Sequence, residues 1–470
     1  MRILVCCADW GVPVGGSAGS SVHLRAMAAA LSRLGHEVRL LVSNGAGPNP
    51  PGLPVATVPH RRLWPAISGL VERARGCPAP AVLKTGGVSA APAPGAACAR
   101  DGGAVTDAPA PGAVSWKTRL YYETLPALAD RAEECLVHPI AFGRAVSRML
   151  ADFAPEAVYE RYALCQTGAA GALARAGGRR VPHILEVNAS LARERTGQAD
   201  GWLAGPWRFF AGRQEARLWH GADRVLGVSE ALGRRIAEAG ADPDRVRVVP
   251  NGVDAEAFSP DRPKGALRRL LGLGNGAVLI GWLGALSPGR GAQEFVRLLG
   301  QTLPQVPQAR GVVIGGGPLD GTCRALAREL GLADRVHFTG PVAHDRVPDL
   351  LVDLDMAVAC YPPQADFYFS PMKVAEYLAC GLAVAVGRTG RADQAVTDGV
   401  SGLLVDPDVP GAFARALVGL CRDPGLRARL GAGARERALA GPTWLGNARL
   451  VEREIETCFE ARVAGGGKWA

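Results

Sequence analysis

Apolar positions recur along this chain in two rhythms. Arg2–Cys7 is a short, nearly continuous apolar run of strand length. The glycine-rich turn GVPVGGSAGSS follows it. Val22, Met27, Leu31 and Leu34 then fall at helical spacing up to Gly35, where a helix would stop. Val38–Val42 is the next strand-like run. Strand, helix and strand joined by short turns predict a βαβ unit, and with it a parallel, doubly wound sheet. A helical region is expected from Trp116 to about Phe153, and another around Trp207–His220. Strands are expected at Ala157–Glu160, His183–Val187, Arg224–Val228 and Val246–Val249.

Pro250-Asn251-Gly252 breaks the rhythm and reads as a turn at an interdomain hinge. A second series starts at Val278–Leu283 and continues through Gly311–Ile314, a helix at Thr322–Leu330, Val336–Thr339 and Met356–Ala359. Two doubly wound halves of this kind place a ligand in the cleft between them, outside the carboxyl ends of the strands. Residues 77–115 follow neither rhythm. Ala, Pro and Gly dominate there, so the segment cannot bury a core and is expected to be a disordered insertion. A last helix is expected from Trp444 to about Val463.

The stretch Phe367–Leu404 carries the most chemistry. Ser370-Pro371 stands where a helix cap and first-turn proline belong, and Lys373 and Glu376 project from one side of the first turn. Free amides at a helix N-terminus beside a lysine suit an anion, and the nearby carboxylate suits hydroxyl groups. A ligand with phosphates at one end and a polyol at the other fits both. Nucleotide-sugars are such ligands.

SPxKxxEYxAxG followed by a GxxGLLV segment resembles the nucleotide-sugar site of retaining glycosyltransferases of the family-4 type, which have the two-domain GT-B fold. The likeness covers nearly the whole chain outside 77–115. It implies an acceptor-side half over 1–250, a nucleotide-sugar half over 251–443, and a terminal helix in 444–470 that packs back across the two. It also implies that Lys373 and Arg290 neutralise a leaving diphosphate without a metal, and that Glu376 holds the ribose. Gly16, Gly316, Val342, Tyr368, Ser370 and Pro371 would line the donor. His23, Glu160, Arg161, Glu186 and Asn188 would face the sugar or acceptor.

Three positions depart from the family pattern. Ala285 stands where an arginine is common, Arg290 where a lysine is, and Tyr368 where the first glutamate of an E-x7-E pair would fall. These departures keep a catalytically silent sugar-nucleotide-binding protein open as a reading. A GT-B epimerase stays open too, with Glu160 and Glu186 as its candidate acid and base. Either carboxylate could instead serve a buried structural ion pair, and His23 could be a satisfied core histidine.

Composition narrows the remaining classes. The chain has 470 residues, 48% hydrophobic and 21% charged, as expected of two globular domains. Lysine is scarce, with Lys84, Lys117, Lys264, Lys373 and Lys468 the full set, so a lysine at 373 stands out. The net charge of +9 favours anionic partners, but no basic run with interleaved aromatics points to nucleic acid. NAD is disfavoured: the first turn reads G-G-x-x-G, and no acidic residue ends the second strand. The eleven cysteines show no CxxC or zinc spacing, and no cofactor is expected. The Asp-x-Asp pairs at 242/244, 353/355 and 406/408 lie in turns or lead into a strand, so no metal role is expected for them.

No apolar stretch approaches the length of a membrane span, and the expectation is a cytoplasmic protein. Arg208, Phe209, Phe210, Arg213, Arg217 and Trp219 leave a peripheral membrane contact open, the alternative being an ordinary amphipathic helix.

Overall fold

The computed structural model describes residues 1–58, 129, 131–176, 181–196, 204–274, 276–362, 370–389 and 394–464. Tyr368, the segment 77–115 and the start of the helical region at Trp116 lie outside these residues. Two parallel sheets carry the fold. The first contains β1 (Arg2–Cys7), β2 (Glu37–Val42), β3 (Val55–Thr57), β4 (Ala157–Arg161), β5 (His183–Val187), β6 (Arg224–Gly227) and β7 (Val246–Val248). Its order is β3-β2-β1-β4-β5-β6-β7. The second contains β8 (Val278–Leu283), β9 (Ala309–Ile314), β10 (Val336–Phe338), β11 (Met356–Ala359), β12 (Ala383–Gly387) and β13 (Leu403–Val405), in the order β10-β9-β8-β11-β12-β13. Strand order reverses beside β1 in one sheet and beside β8 in the other, and at such switch points a ligand crevice opens at the carboxyl ends of the strands.

The central strands are buried on both faces, as parallel strands covered by helices must be. β3 has no counterpart in the sequence reading. It is three residues long and partly exposed, too short to show a rhythm. The helix expected at Thr322–Leu330 runs over Asp320–Glu329, with Asp320 placing a carboxylate in its first turn.

The helix Trp444–Ala464 returns to the first half. Ala448, Val451, Ile455 and Cys458 lie on one stripe and join the core formed by Ile3, Leu24, Met27 and Leu31. Polar contacts hold the same helix down. Arg224 Nε and Arg247 Nε donate to the Glu454 carboxylate at 2.7 and 3.0 Å, and Asn447 Nδ2 donates to the Pro250 carbonyl at 2.8 Å. The chain thus crosses between halves twice at one place, where Val253 and Thr443 form a parallel bridge. A Cβ on Gly252 would meet the Trp444 nitrogen at 2.5 Å, so only glycine lets the two passes lie this close.

The basic, aromatic helix of the first half spans Ala204–Gly221. Arg208, Phe209, Arg213 and Arg217 are exposed on it. Trp219 is not part of that surface: it is 2% exposed and packs in the core against Tyr162. Among the described residues no helix is long and apolar enough to cross a membrane.

Candidate active site

Two helix N-termini converge between the halves. The first helix, Gly19–Arg33, begins just after the glycine turn, and the helix Met372–Ala379 carries Lys373 and Glu376. A Cβ on Gly19 would lie 3.6 Å from Met372 Sδ, so the two helix starts are neighbours. Neither receives a side-chain cap. Amides left free in this way, together with two helix dipoles, favour negative charge between them.

Ser370 was expected to cap Met372–Ala379, but Pro371 occupies the N-cap position itself. The Ser370 hydroxyl instead accepts from the backbone N–H of Asn251, in the segment that joins the two halves, at 3.0 Å. The glycine turn is shaped by close packing rather than by positive φ. A Cβ on Gly16 would meet Pro13 Cγ and Ser21 Oγ at 2.7 Å, and one on Gly15 would meet the Gly47 carbonyl carbon at 2.4 Å. Arg25 fastens the turn by donating to the carbonyls of Val14 and Gly16 at 2.6 and 2.7 Å.

Lys373 lies over Trp282, its Nζ 4.0 Å from the ring centroid, and donates to the Arg290 carbonyl at 3.3 Å. Burial pushes its ammonium down to about 7. Cys360 and Glu376 oppose the shift, while the Arg290 guanidinium adds to it. Arg290 itself is exposed, on the turn between β8 and the helix Ala292–Thr302. That turn is tight: Gly291 has φ +91, and a Cβ there would meet the Cys360 carbonyl oxygen at 1.8 Å. The Arg290 backbone is therefore held against the Lys373 ammonium, with the Arg290 guanidinium near enough to repel it.

Glu376, 5% exposed, points from the same helix and is engaged by His344 Nε2 at 2.8 Å. His344 packs against Phe258, with ring centroids 5.4 Å apart. Sequence reasoning did not single out His344, because a lone histidine in a Pro-rich turn carries no spacing signal. Trp282 and Tyr377 were missed for a similar reason, since apolar strands and helices are full of aromatics. Yet the Leu283 N–H donates to the Tyr377 hydroxyl at 2.6 Å and fixes the end of β8 beneath Lys373.

Gly316 and Val342 border the same end of the second sheet. Gly315 pairs with Gly340 in an antiparallel bridge, and a Cβ on Gly316 would meet Pro341 Cγ at 2.7 Å. Val342 packs partly on the core of the second half.

On the other half, β4, β5 and the first helix bring three of the candidate residues together. Glu186 contacts His23 Nε2 through one carboxylate oxygen and Arg161 Nη1 through the other, the latter at 3.5 Å. Burial alone would raise the Glu186 carboxyl. His23, Arg161 and a hydrogen bond from Tyr159 outweigh it and hold the group at about 2. Glu160 is separate from this group. It is 1% exposed and bonds His183 Nε2 at 2.7 Å, an arrangement of a structural pair. Asn188 stands at the end of β5 with its buried Nδ2 lacking a partner among the described residues.

The Asp-x-Asp pair at 353/355 has structural work. Asp353 accepts the Gly265, Leu267 and Arg268 amides, and Asp355 pairs with Arg268 and Arg427. No group of three or more His, Cys, Asp or Glu side chains gathers as metal ligands would among the described residues.

Known proteins resemble this chain in sequence and fold. Residues 277–423 match the family described as glycosyl transferases group 1, and residues 18–252 match the glycosyl transferase 4-like domain. A D-inositol 3-phosphate glycosyltransferase from Acidothermus cellulolyticus is 34% identical over 65% of this chain and 69% of its own length. A GDP-mannose-dependent alpha-(1-6)-phosphatidylinositol monomannoside mannosyltransferase from Mycolicibacterium smegmatis is 32% identical over 50% of this chain and 63% of its own.

In overall shape the chain is similar to sucrose-phosphate synthase from Thermosynechococcus elongatus. The TM-score is 0.66 at 17% identity, covering 98% of this chain and 100% of that one. Similar too is HepE of Anabaena, solved in complex with UDP. There the TM-score is 0.63 at 16% identity, over 97% of this chain and 100% of that one. With both of its halves matched in order, the chain belongs to the group 1, family-4-like glycosyltransferases of GT-B fold.

Proposed function

We propose that the protein moves a sugar from a nucleoside-diphosphate-sugar to an acceptor hydroxyl, with retention of anomeric configuration and without a metal. The observation that carries this reading is the cation pair at the mouth of Met372–Ala379. Lys373 Nζ lies on the Arg290 backbone carbonyl, beside the place where two uncapped helix N-termini meet, and the Arg290 guanidinium is near enough to act on it. Such a place stabilises the negative charge that develops on a departing diphosphate. Glu376, oriented by His344, would accept the ribose hydroxyls.

The acceptor hydroxyl would attack from the face the diphosphate leaves, and a phosphate oxygen would take its proton. The protein would then contribute orientation and charge rather than a base. The engagement of Glu160 by His183 and of Glu186 by His23 and Arg161 supports this over an epimerase, which needs free acid and base carboxylates. The engagement of Asp353 and Asp355 supports the metal-free reading. The relatives named above act, by their names, on inositol phosphate or a phosphatidylinositol mannoside, so inositol phosphates are the first acceptors to try.

Thermal stabilisation by UDP, GDP and dTDP tests the donor site, since a ligand bound to the native state raises Tm by mass action. One diphosphate should stabilise the wild type and lose that effect in Lys373→Ala. Indifference to all three would overturn the assignment. The anomeric configuration of the product, read by NMR, tests retention, and activity held through chelation by EDTA tests metal independence. Sedimentation with anionic liposomes tests a peripheral membrane contact, for which exposed Arg208, Phe209, Arg213 and Arg217 are the candidate surface.

A further inference from the structure

The hinge residue Asn251 is bonded in three directions. Its backbone N–H donates to Ser370 Oγ at 3.0 Å, and its Nδ2 donates to the Ser370 carbonyl at 2.7 Å. A carbonyl only accepts, so the amide nitrogen must face Ser370 and Oδ1 must face the other way. Oδ1 meets His23 Nδ1 at 2.8 Å, and His23 Nε2 meets Glu186 Oε1. Both ring nitrogens thus face side-chain oxygens. Glu186 in turn accepts from Arg161. His23 is 3% exposed and stands edge-on to Trp444, with centroids 4.8 Å apart. The result is one unbroken polar chain from the strand ends of the first half, through the hinge, to the residue before the N-cap of Met372–Ala379.

Ser370 makes no cap for that helix, and its hydroxyl is spent on the hinge instead. Asn251 therefore holds the residue that precedes the N-cap of the helix carrying Lys373 and Glu376. A buried chain of this kind is costly to break at any link, because each break leaves a desolvated polar group.

We propose that Asn251 and His23 are positioning residues. They hold the Lys373 helix in register with the Arg161–Glu186 end of the acceptor-side sheet, so that the grip on the donor diphosphate is coupled to the acceptor-side face. The inference rests on the reading of the Lys373 helix as the donor diphosphate site.

Calorimetric titration with UDP and GDP, using whichever binds the wild type, separates this from simple hinge glue. Asn251→Ala and His23→Phe should each weaken diphosphate binding by at least about 5-fold, within the usual range of coupling between sites. Residues in one network are non-additive, so the double variant should lose no more than the worse single. Ser370→Ala should share the loss and Ser370→Thr, which keeps the hydroxyl, should restore it. In turnover assays the donor KM should rise more than kcat falls.

Should Asn251→Ala not fold by circular dichroism, Asn251→Asp replaces it. That variant keeps an oxygen toward His23 and the backbone bond to Ser370 Oγ but removes the side-chain donor to the Ser370 carbonyl, and it should show the same loss. Lys373→Ala is the control. If it weakens binding while His23→Phe and Asn251→Ala lower only Tm, or if their losses multiply, the relay is wrong and the donor site stands. If Lys373→Ala binds as the wild type does, the donor-site reading fails and the relay fails with it.

Discussion

Burial beside Trp282 holds the Lys373 ammonium down at about 7, so near neutral pH this charge is only partly present. A bound diphosphate would favour the charged form and raise that value. The sign follows from linkage. Below pH 7 the site already holds its proton and affinity is full. Above pH 7 binding must take up a proton, and affinity falls as pH rises toward the value in the complex. Titrations at pH 8 in buffers of different ionisation enthalpy should show net proton uptake in the wild type and none in Lys373→Arg, whose guanidinium stays charged. Tyr377 supports the floor of this site. Tyr377→Phe would leave the buried Leu283 N–H unpaired, at a cost of about 1–3 kcal/mol, read as a lower midpoint in urea.

Elements with a strong rhythm were legible in the sequence. β1, β5, β8 and β11 stand where the apolar runs placed them, because strands buried on both faces must be apolar throughout. The last helix was legible as a helix, while its return to the first half followed only from the family resemblance. β3 was not, being too short, and the boundaries around Asp320–Glu329 shifted where a first-turn acid set the start. For the candidate site, the motif put Lys373, Glu376 and Arg290 in view, and the structure gathers them at one end of the second sheet. What the sequence could not show was pairing. His344 reaches Glu376 across 32 positions and Asn251 reaches Ser370 across 119, and no local pattern encodes such distances.

Turns carry their own predictions. Gly291→Ala would strain a positive φ and collide with the Cys360 carbonyl, costing at least about 2 kcal/mol and displacing Arg290. A fall in Tm together with weaker nucleotide binding would show it. Asp353→Ala would strip the caps from the helix Ala266–Leu270, for about 1–2 kcal/mol in denaturant unfolding and no change in nucleotide affinity.

On the scale of the molecule, the core of the first half is finished by the last helix. Val451 and Ile455 are fully buried against residues of β1 and the first helix. Removing residues from 444 onward would open that core, at roughly 1.5–3 kcal/mol for each large apolar side chain exposed, and should abolish soluble expression. Glu454→Ala is milder. It leaves Arg224 and Arg247 without their shared carboxylate and should lower stability by no more than about 3 kcal/mol. The double crossing at Gly252 and Thr443 has a consequence for how such proteins diversify. Topologically, the second half is a cassette set into the first, leaving and re-entering through a single doorway whose posts touch. A cassette with adjacent ends can be lifted out and replaced by another without rethreading the host. The first half can thus receive a different insert, provided the newcomer offers a Ser370 equivalent to Asn251.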